Sequence, residues 1–272
     1  MQLQIITLYC LCDEFLHAYG YRDDPQAQLS TAEVMTVALV AATYFAGNQE
    51  ASRRFLHEHG YLPRILTKSR FNRRLHALPE VLWQAFFHQW AQRQHAANPT
   101  HEYLVDSFPV PVCDNIRIRR CRLYAAPLFR GYLASKRRYF FGLRVHLVTT
   151  VTGAPVELVL LPGSTADITG LKCLPLDLPA GATLYADAGY TDYAWEDGLA
   201  EETELRLVAL RRAASKRPWP GYVRYLCQRQ RQRIEMIFSQ LRERLAGSVH
   251  AVTARGFELK VFLTVLAFAL LG

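Results

Sequence analysis

Thr183-Leu184-Tyr185-Ala186-Asp187-Ala188-Gly189-Tyr190 is the stretch on which the fold turns. A short apolar run that meets a carboxylate and then a glycine reads as a buried strand ending in an acid and a turn. Glu102-Tyr103-Leu104-Val105-Asp106-Ser107 has the same form and also ends in an acid. A charge at the end of a buried strand is costly unless something partners it, and α/β sheets place their sites at such ends. Taken singly, either Asp could equally begin an ordinary turn.

Outward from these two stretches the pattern is mixed. Residues 139–151 and 154–161 read as strands joined by a tight turn at Thr152-Gly153. Ser164 or Thr165 can cap a helix through Leu171 and Leu174, with Asp167 at its start as a dipole partner or, as the lesser reading, near a bound cation. A helix over 193–202, with Asp192 as its cap, precedes a strand at 205–210; a long helix at about 223–245 and an apolar helix at 257–271 follow. Strands first in a hairpin run and later alternating with helices predict an α/β fold, a mixed sheet flanked by helices.

The first hundred residues read as helices only. Leu3, Ile6, Leu11, Phe15 and Leu16 recur at helical spacing, with Cys10 and Cys12 expected on the inner side. Ser30 and Glu33 form a capping box before the apolar run 34–45. A third helix covers 49–59 and ends at Gly60, and a fourth runs from 69 to 95 with a break at Pro79. Short helices with basic turns, Arg53-Arg54 and 68–74, resemble a helix-turn-helix region. The expected division is a helical DNA-binding region, 1–98, and an α/β domain, 99–272.

Composition narrows the class. Half of the 272 residues are apolar, which excludes a disordered chain. The longest apolar run, 261–271, is about half of the roughly 20 residues a membrane span needs, so no membrane association is expected. The opening residues lack the basic segment of a signal peptide. Six cysteines (10, 12, 113, 121, 173 and 227) show no CxxC spacing and read as free thiols of the cytoplasm. The net charge of +8 is unevenly laid out: residues 155–210 carry 2 basic and 10 acidic side chains, whereas 101–154 carry 9 and 3 and 211–272 carry 12 and 3. Basic blocks around an acidic one suit a protein that grips phosphates and places a cation among them.

Glu235 supplies the third acid. Ile234, Ile237, Phe238, Leu241 and Leu245 form one apolar stripe of the long helix, and Glu235 lies at its edge with Arg231 and Arg242 on nearly the same face. Convergent carboxylates can hold a pair of hard divalent cations about 3.5–4 Å apart, the arrangement that phosphodiester cleavage needs.

Leu104-Val105-Asp106-Ser107, Tyr185-Ala186-Asp187-Ala188-Gly189-Tyr190 and Arg231-x3-Glu235-x6-Arg242 together resemble the three acidic motifs of DDE-type insertion-sequence transposases. Eighty residues separate the two aspartates and 47 separate Asp187 from Glu235. Val105-Asp106-Ser107-Phe108-Pro109-Val110-Pro111-Val112-Cys113, the ending His250-Ala251-Val252 … Gly256-Phe257-Glu258-Leu259-Lys260, and Ser69-Arg70-Phe71-Asn72-Arg73-Arg74 are similar to the bacterial insertion-sequence family 982. The resemblance implies a ribonuclease-H-like fold whose Asp106, Asp187 and Glu235 bind two Mg²⁺ ions, with Mn²⁺ able to substitute. It implies DNA as partner, both the inverted-repeat ends of the element and the target, and a homo-oligomer, a dimer in the simplest case. Arg70, Arg73, Arg74, Arg231 and Arg242 are the expected DNA contacts. Gln228 and Arg242 stand where related transposases often carry Tyr and Lys, and Arg242 keeps the charge. The rival readings are a structure-selective nuclease and a non-catalytic DNA-binding relict.

Overall fold

The computed structural model describes residues 1–133, 137–245 and 249–271. Two compact units emerge, Met1–Phe87 with Glu243–Gly272, and His88–Arg242.

The first unit is built on helices α1 (Gln2–Tyr19), α2 (Thr31–Tyr44), α3 (Gln49–Glu58) and α4 (Lys68–Ala77), the start of α5 (Glu80–Ala96), and the last helix, Ala254–Leu271. The capping box forms as expected: Glu33 N–H donates to Ser30 Oγ and Ser30 N–H to Glu33 Oε2. Helix α2 is apolar all round and buried from Thr31 to Ala42 except at Glu33, so it must be covered on every side. Helices α1, α3, α4 and the last helix supply that cover. The last helix therefore groups with the N-terminal helices, whereas the 99–272 division assigns it to the α/β domain. Its apolar residues announce burial but not the partner. Pro79 does break the long basic helix, between α4 and α5. Cys12 is buried, but Cys10, expected inside, is exposed because it lies on the outer side of α1.

The second unit holds six strands: β1 (Glu102–Asp114), β2 (Arg130–Leu133), β3 (Arg138–Thr150), β4 (Pro155–Pro162), β5 (Thr183–Ala186) and β6 (Arg206–Ala209). Strand β1 lies between antiparallel β3 and parallel β5, and β5 pairs in parallel with β6. The far edge of β3 is shared by β2 and β4, both antiparallel. Helices α6 (Asp167–Lys172), α7 (Tyr193–Thr203) and α8 (Gly221–Arg244) complete the unit. This is the expected α/β architecture, a mixed sheet flanked by helices with a ribonuclease-H-like strand arrangement, preceded by an all-helical region. No helix among the described residues is long and apolar enough to cross a membrane.

Two local expectations are corrected. Asp106 does not end its strand: β1 continues to Asp114 through Pro109 and Pro111. Proline is tolerated there because β5 pairs only with Glu102–Leu104, so beyond it that edge of β1 needs no N–H donors. Helix α6 begins at Asp167 with Ala166 as its N-cap and has no side-chain cap, so neither Ser164 nor Thr165 fills that role.

The alternation of β1 and β5 decides what each face carries. Tyr103, Val105, Leu184 and Ala186 enter the main core with Leu171, Tyr190 and Leu199. Leu104, Asp106 and Phe108 point the other way, toward α8, where Phe108 packs on Phe238.

Glu157 on β4 gives the fold a pH dependence. It is buried, accepts the Leu176 N–H at 2.9 Å, and burial pushes its carboxyl up to about 7. The folded state thus keeps a proton that the unfolded chain loses near 4.5. Stability from this group is complete below pH 4.5 and is lost as pH rises through 7. Glu157→Gln should remove that fall, gaining on wild type by up to about 3 kcal/mol between pH 5 and 8. Urea unfolding at both pH values checks this; parallel pH profiles for the two proteins would contradict it.

Candidate active site

The parallel pairing of β1 with β5 sets Leu104 opposite Tyr185, and the same register carried two residues further brings Asp106 beside Asp187. Leu104, Asp106, Tyr185 and Asp187 line one small crevice with Cys227, Gln230, Arg231 and Ile234 of α8. Helix α8 lies over the sheet because Val223, Cys227, Gln230, Ile234, Ile237, Phe238 and Leu241 recur on one buried face. Two of the three predicted acids thus come together, with one predicted arginine.

Electrostatics mark the crevice. Burial, and then the charges of Asp187 and Asp167, push the Asp106 carboxyl up to about 7, against the Ser107 N–H that donates to its Oδ1 at 2.7 Å and the charge of Arg231. Asp187 is raised too, chiefly by burial and also by Asp167. Its Oδ1 accepts the Gly189 N–H at 2.6 Å and so caps the 3-10 turn Ala188–Tyr190. Crowded carboxylates in a desolvated cleft are a common signature of a functional site.

Glu235 stands apart from this pair. Its side chain is 55% exposed and holds Arg231 Nε at 3.0 Å, so it reaches the crevice only through that arginine. Arg242 donates from Nε to the Phe238 carbonyl. In the helical unit, Arg70 and Arg73 are exposed on α4, whereas Arg74 binds Asp23 at 2.9 Å. Asp23 also accepts from Thr31, so Arg74 ties α4 to the start of α2.

The helix-start position of Asp167 favours a dipole role over an approach to the metals, yet Asp167 adds its charge to both Asp106 and Asp187. Its Oδ1 accepts from Ser107 Oγ at 2.6 Å and from Arg144 Nη1 at 3.3 Å, and Arg144 Nη1 also donates to Ser107 Oγ at 2.9 Å. His146, opposite Ser107 on β3, is fully buried with no hydrogen-bond partner on either ring nitrogen. Burial lowers its pKa to about 4, which keeps it neutral. Its ring lies so close to α6 that only glycine fits at 170, since a Cβ there would stand 2.0 Å from Cε1. Asp192 does cap α7, as expected.

Among the described residues, no three His, Cys, Asp or Glu side chains are gathered into a formed metal site. The donor chemistry nevertheless fits a hard cation, because two carboxylates line the crevice and neighbouring acidic charge raises both.

Two aspartates thus stand side by side where the central parallel strands of a ribonuclease-H-like sheet meet α8. Residues 96–250, more than half of the chain, match the family described as a transposase DDE domain, and the chain belongs to that family. No curated protein and no solved structure matches it. The family implies DNA as partner, and its domains generally use divalent metal ions.

Proposed function

We propose that this chain is an insertion-sequence transposase, of the kind found in family 982, that cuts the ends of its own element and joins them to target DNA. The carrying observation is the Asp106–Asp187 pair beneath Arg231 in a chain of the transposase DDE family. Two Mg²⁺ ions held by Asp106, Asp187 and Glu235 would polarise the scissile phosphate and acidify the attacking water or hydroxyl. Asp106 would contribute to holding both ions. Asp187 and Glu235 would each hold mainly one ion, Glu235 after leaving Arg231. Arg231 and Arg242, freed toward the DNA, hold its phosphates, Arg242 bidentately where geometry allows.

Hydrolysis forms a bond from water oxygen to phosphorus and breaks the P–O3′ bond, leaving a 3′-hydroxyl. That hydroxyl then attacks a target phosphodiester, forming one P–O bond as another breaks, with no covalent enzyme intermediate. A homodimer on paired ends, working in the bacterial cytoplasm at the nucleoid, is the assembly this reading calls for. Duplexes carrying the short inverted repeats that flank the gene, incubated with protein and Mg²⁺, should yield 3′-hydroxyl ends and joined products. Cuts at branched DNA without joining would instead make the protein a structure-selective nuclease, and no cuts at all a DNA-binding relict.

The exposed arginines of α4 make a separate prediction. Arg70→Ala with Arg73→Ala should weaken end binding and lower its salt slope by about 1 per lost phosphate contact. Arg74→Ala should act mainly on stability, because its partner is Asp23. Isotherms at several salt concentrations separate these effects; a wild-type slope for the double variant would move the DNA-reading surface off α4.

A further inference from the structure

We propose that Asp167 is a further carboxylate of the catalytic centre, with Oδ1 fixed by Ser107 and Arg144 and Oδ2 offered to the cation site beside Asp187. The proposal rests on the reading of Asp106 and Asp187 as a cation-holding pair.

Three observations carry it. The first is convergence on Gly189. A Cβ at that position would lie 2.9 Å from Asp167 Oδ2 and 3.0 Å from Asp187 Oδ1, so the two carboxylates close on one point and glycine alone leaves them room. The second is anchorage. Ser107 Oγ and Arg144 Nη1 both donate to Oδ1, and the Asp167 and Arg144 side chains are only 29% and 18% exposed. An acid that merely balanced surface charge would be free to turn, whereas this one has one oxygen tied and the other on the Gly189 side, where Asp187 Oδ1 also lies. Ser107 also donates its N–H to Asp106, so a single residue of β1 links the two acids.

The third observation is independent of the acids. Tyr190 is fully buried; among the described residues its hydroxyl makes no close hydrogen bond, Ser107 is the polar group it meets, and it feels the charges of Asp106, Asp167 and Asp187. Buried hydroxyls are nearly always satisfied, and one without a close partner beside acidic charge marks a polar site that a bound ligand can complete. Arg144 is the cation tied directly to Asp167, while Arg231 and Arg212 act on Asp187 and Arg231 on Asp106. A hard divalent cation fits the donor set.

Titration of the full chain with Mn²⁺ alone, followed by calorimetry, tests the assignment without any DNA or turnover. Asp167→Asn should weaken Mn²⁺ binding by about tenfold or more, with circular dichroism and duplex DNA binding unchanged. Ser107→Ala, which loses the brace but keeps the carboxylate, should stay within about threefold of wild type. Should Asp167→Asn fail to fold because Arg144 is left unpaired, Asp167→Asn with Arg144→Gln removes both charges and serves instead. Wild-type Mn²⁺ affinity in the Asp167 variant, or an equal loss in Ser107→Ala, would reduce Asp167 to a brace and overturn the proposal. A wild-type isotherm from Asp106→Asn would overturn the cation-holding pair itself, a result distinct from failure at Asp167 alone.

Discussion

Asp106→Asn is expected to lower end cleavage by about a thousandfold or more while making the free protein harder to unfold above pH 7. The two effects have opposite signs because one carboxylate serves two masters. In the free protein its charge is desolvated and faces Asp187 and Asp167, so its carboxyl sits near 7 instead of 3.8. An acid raised in the folded state stabilises fully below its unfolded pKa and loses that contribution as pH rises through the folded one. An amide of the same shape carries no such loss. The gain at pH 8 should therefore be on the order of 1–3 kcal/mol, reduced by whatever the lost charge contributed against Arg231. In the proposed reaction the same charge helps to hold cations whose stabilisation of the transition state is several kcal/mol, and each 1.36 kcal/mol is tenfold in rate. Asp187→Asn should follow in both directions, since its carboxyl is raised as well. Gel assays of end cleavage beside urea unfolding at pH 8 measure the pair of effects. Near-normal metal-dependent cleavage by either variant, with circular dichroism intact, would end the assignment of these aspartates.

The features legible in the sequence were those set by near neighbours in the chain. Ser30 and Glu33 cap α2 because a capping box needs only four residues, and Pro79 breaks a helix through its own missing N–H. Asp106 and Asp187 were legible because each follows an apolar strand segment, and parallel pairing did the rest. Pairing across long separations was not legible. Arg144 and His146 meet Ser107 and Asp167 through the register of β1 on β3, which no local pattern fixes. Asp167 accordingly looked like an ordinary helix-start acid. The prolines of β1 looked like a strand end, since nothing nearby in sequence shows that β5 has already stopped. Arg74 read as a phosphate contact because its partner, Asp23, lies 51 residues away. The wheel of α8 put Glu235 on the correct edge, but a wheel does not say which way a side chain turns.

Glu235 is where an exposed ion pair and a catalytic ligand make different predictions. As the structure stands, the Arg231–Glu235 pair is more than half exposed on both sides, an i, i+4 contact of the kind worth a few tenths of a kcal/mol. If that were its whole role, Glu235→Gln would leave cleavage alone. If Glu235 leaves Arg231 when DNA and cations arrive, the same change removes one negative charge from a cluster that must offset about four positive ones. Cleavage should then fall by about a hundredfold or more, metal affinity should fall with it, and DNA binding should hold or tighten. Mn²⁺ in place of Mg²⁺ should restore a trace of cutting, because it accepts poorer ligand sets. A third possibility, that Glu235 acts only by holding Arg231 over the crevice, is tested by Arg231→Gln. That variant should lose DNA affinity and keep metal affinity, the reverse of Glu235→Gln. End-cleavage gels, Mn²⁺ titrations and binding isotherms on wild type and both variants resolve the three roles. Wild-type cleavage by Glu235→Gln would make the match of the third motif a coincidence of spacing and leave the centre to Asp106, Asp187 and Asp167.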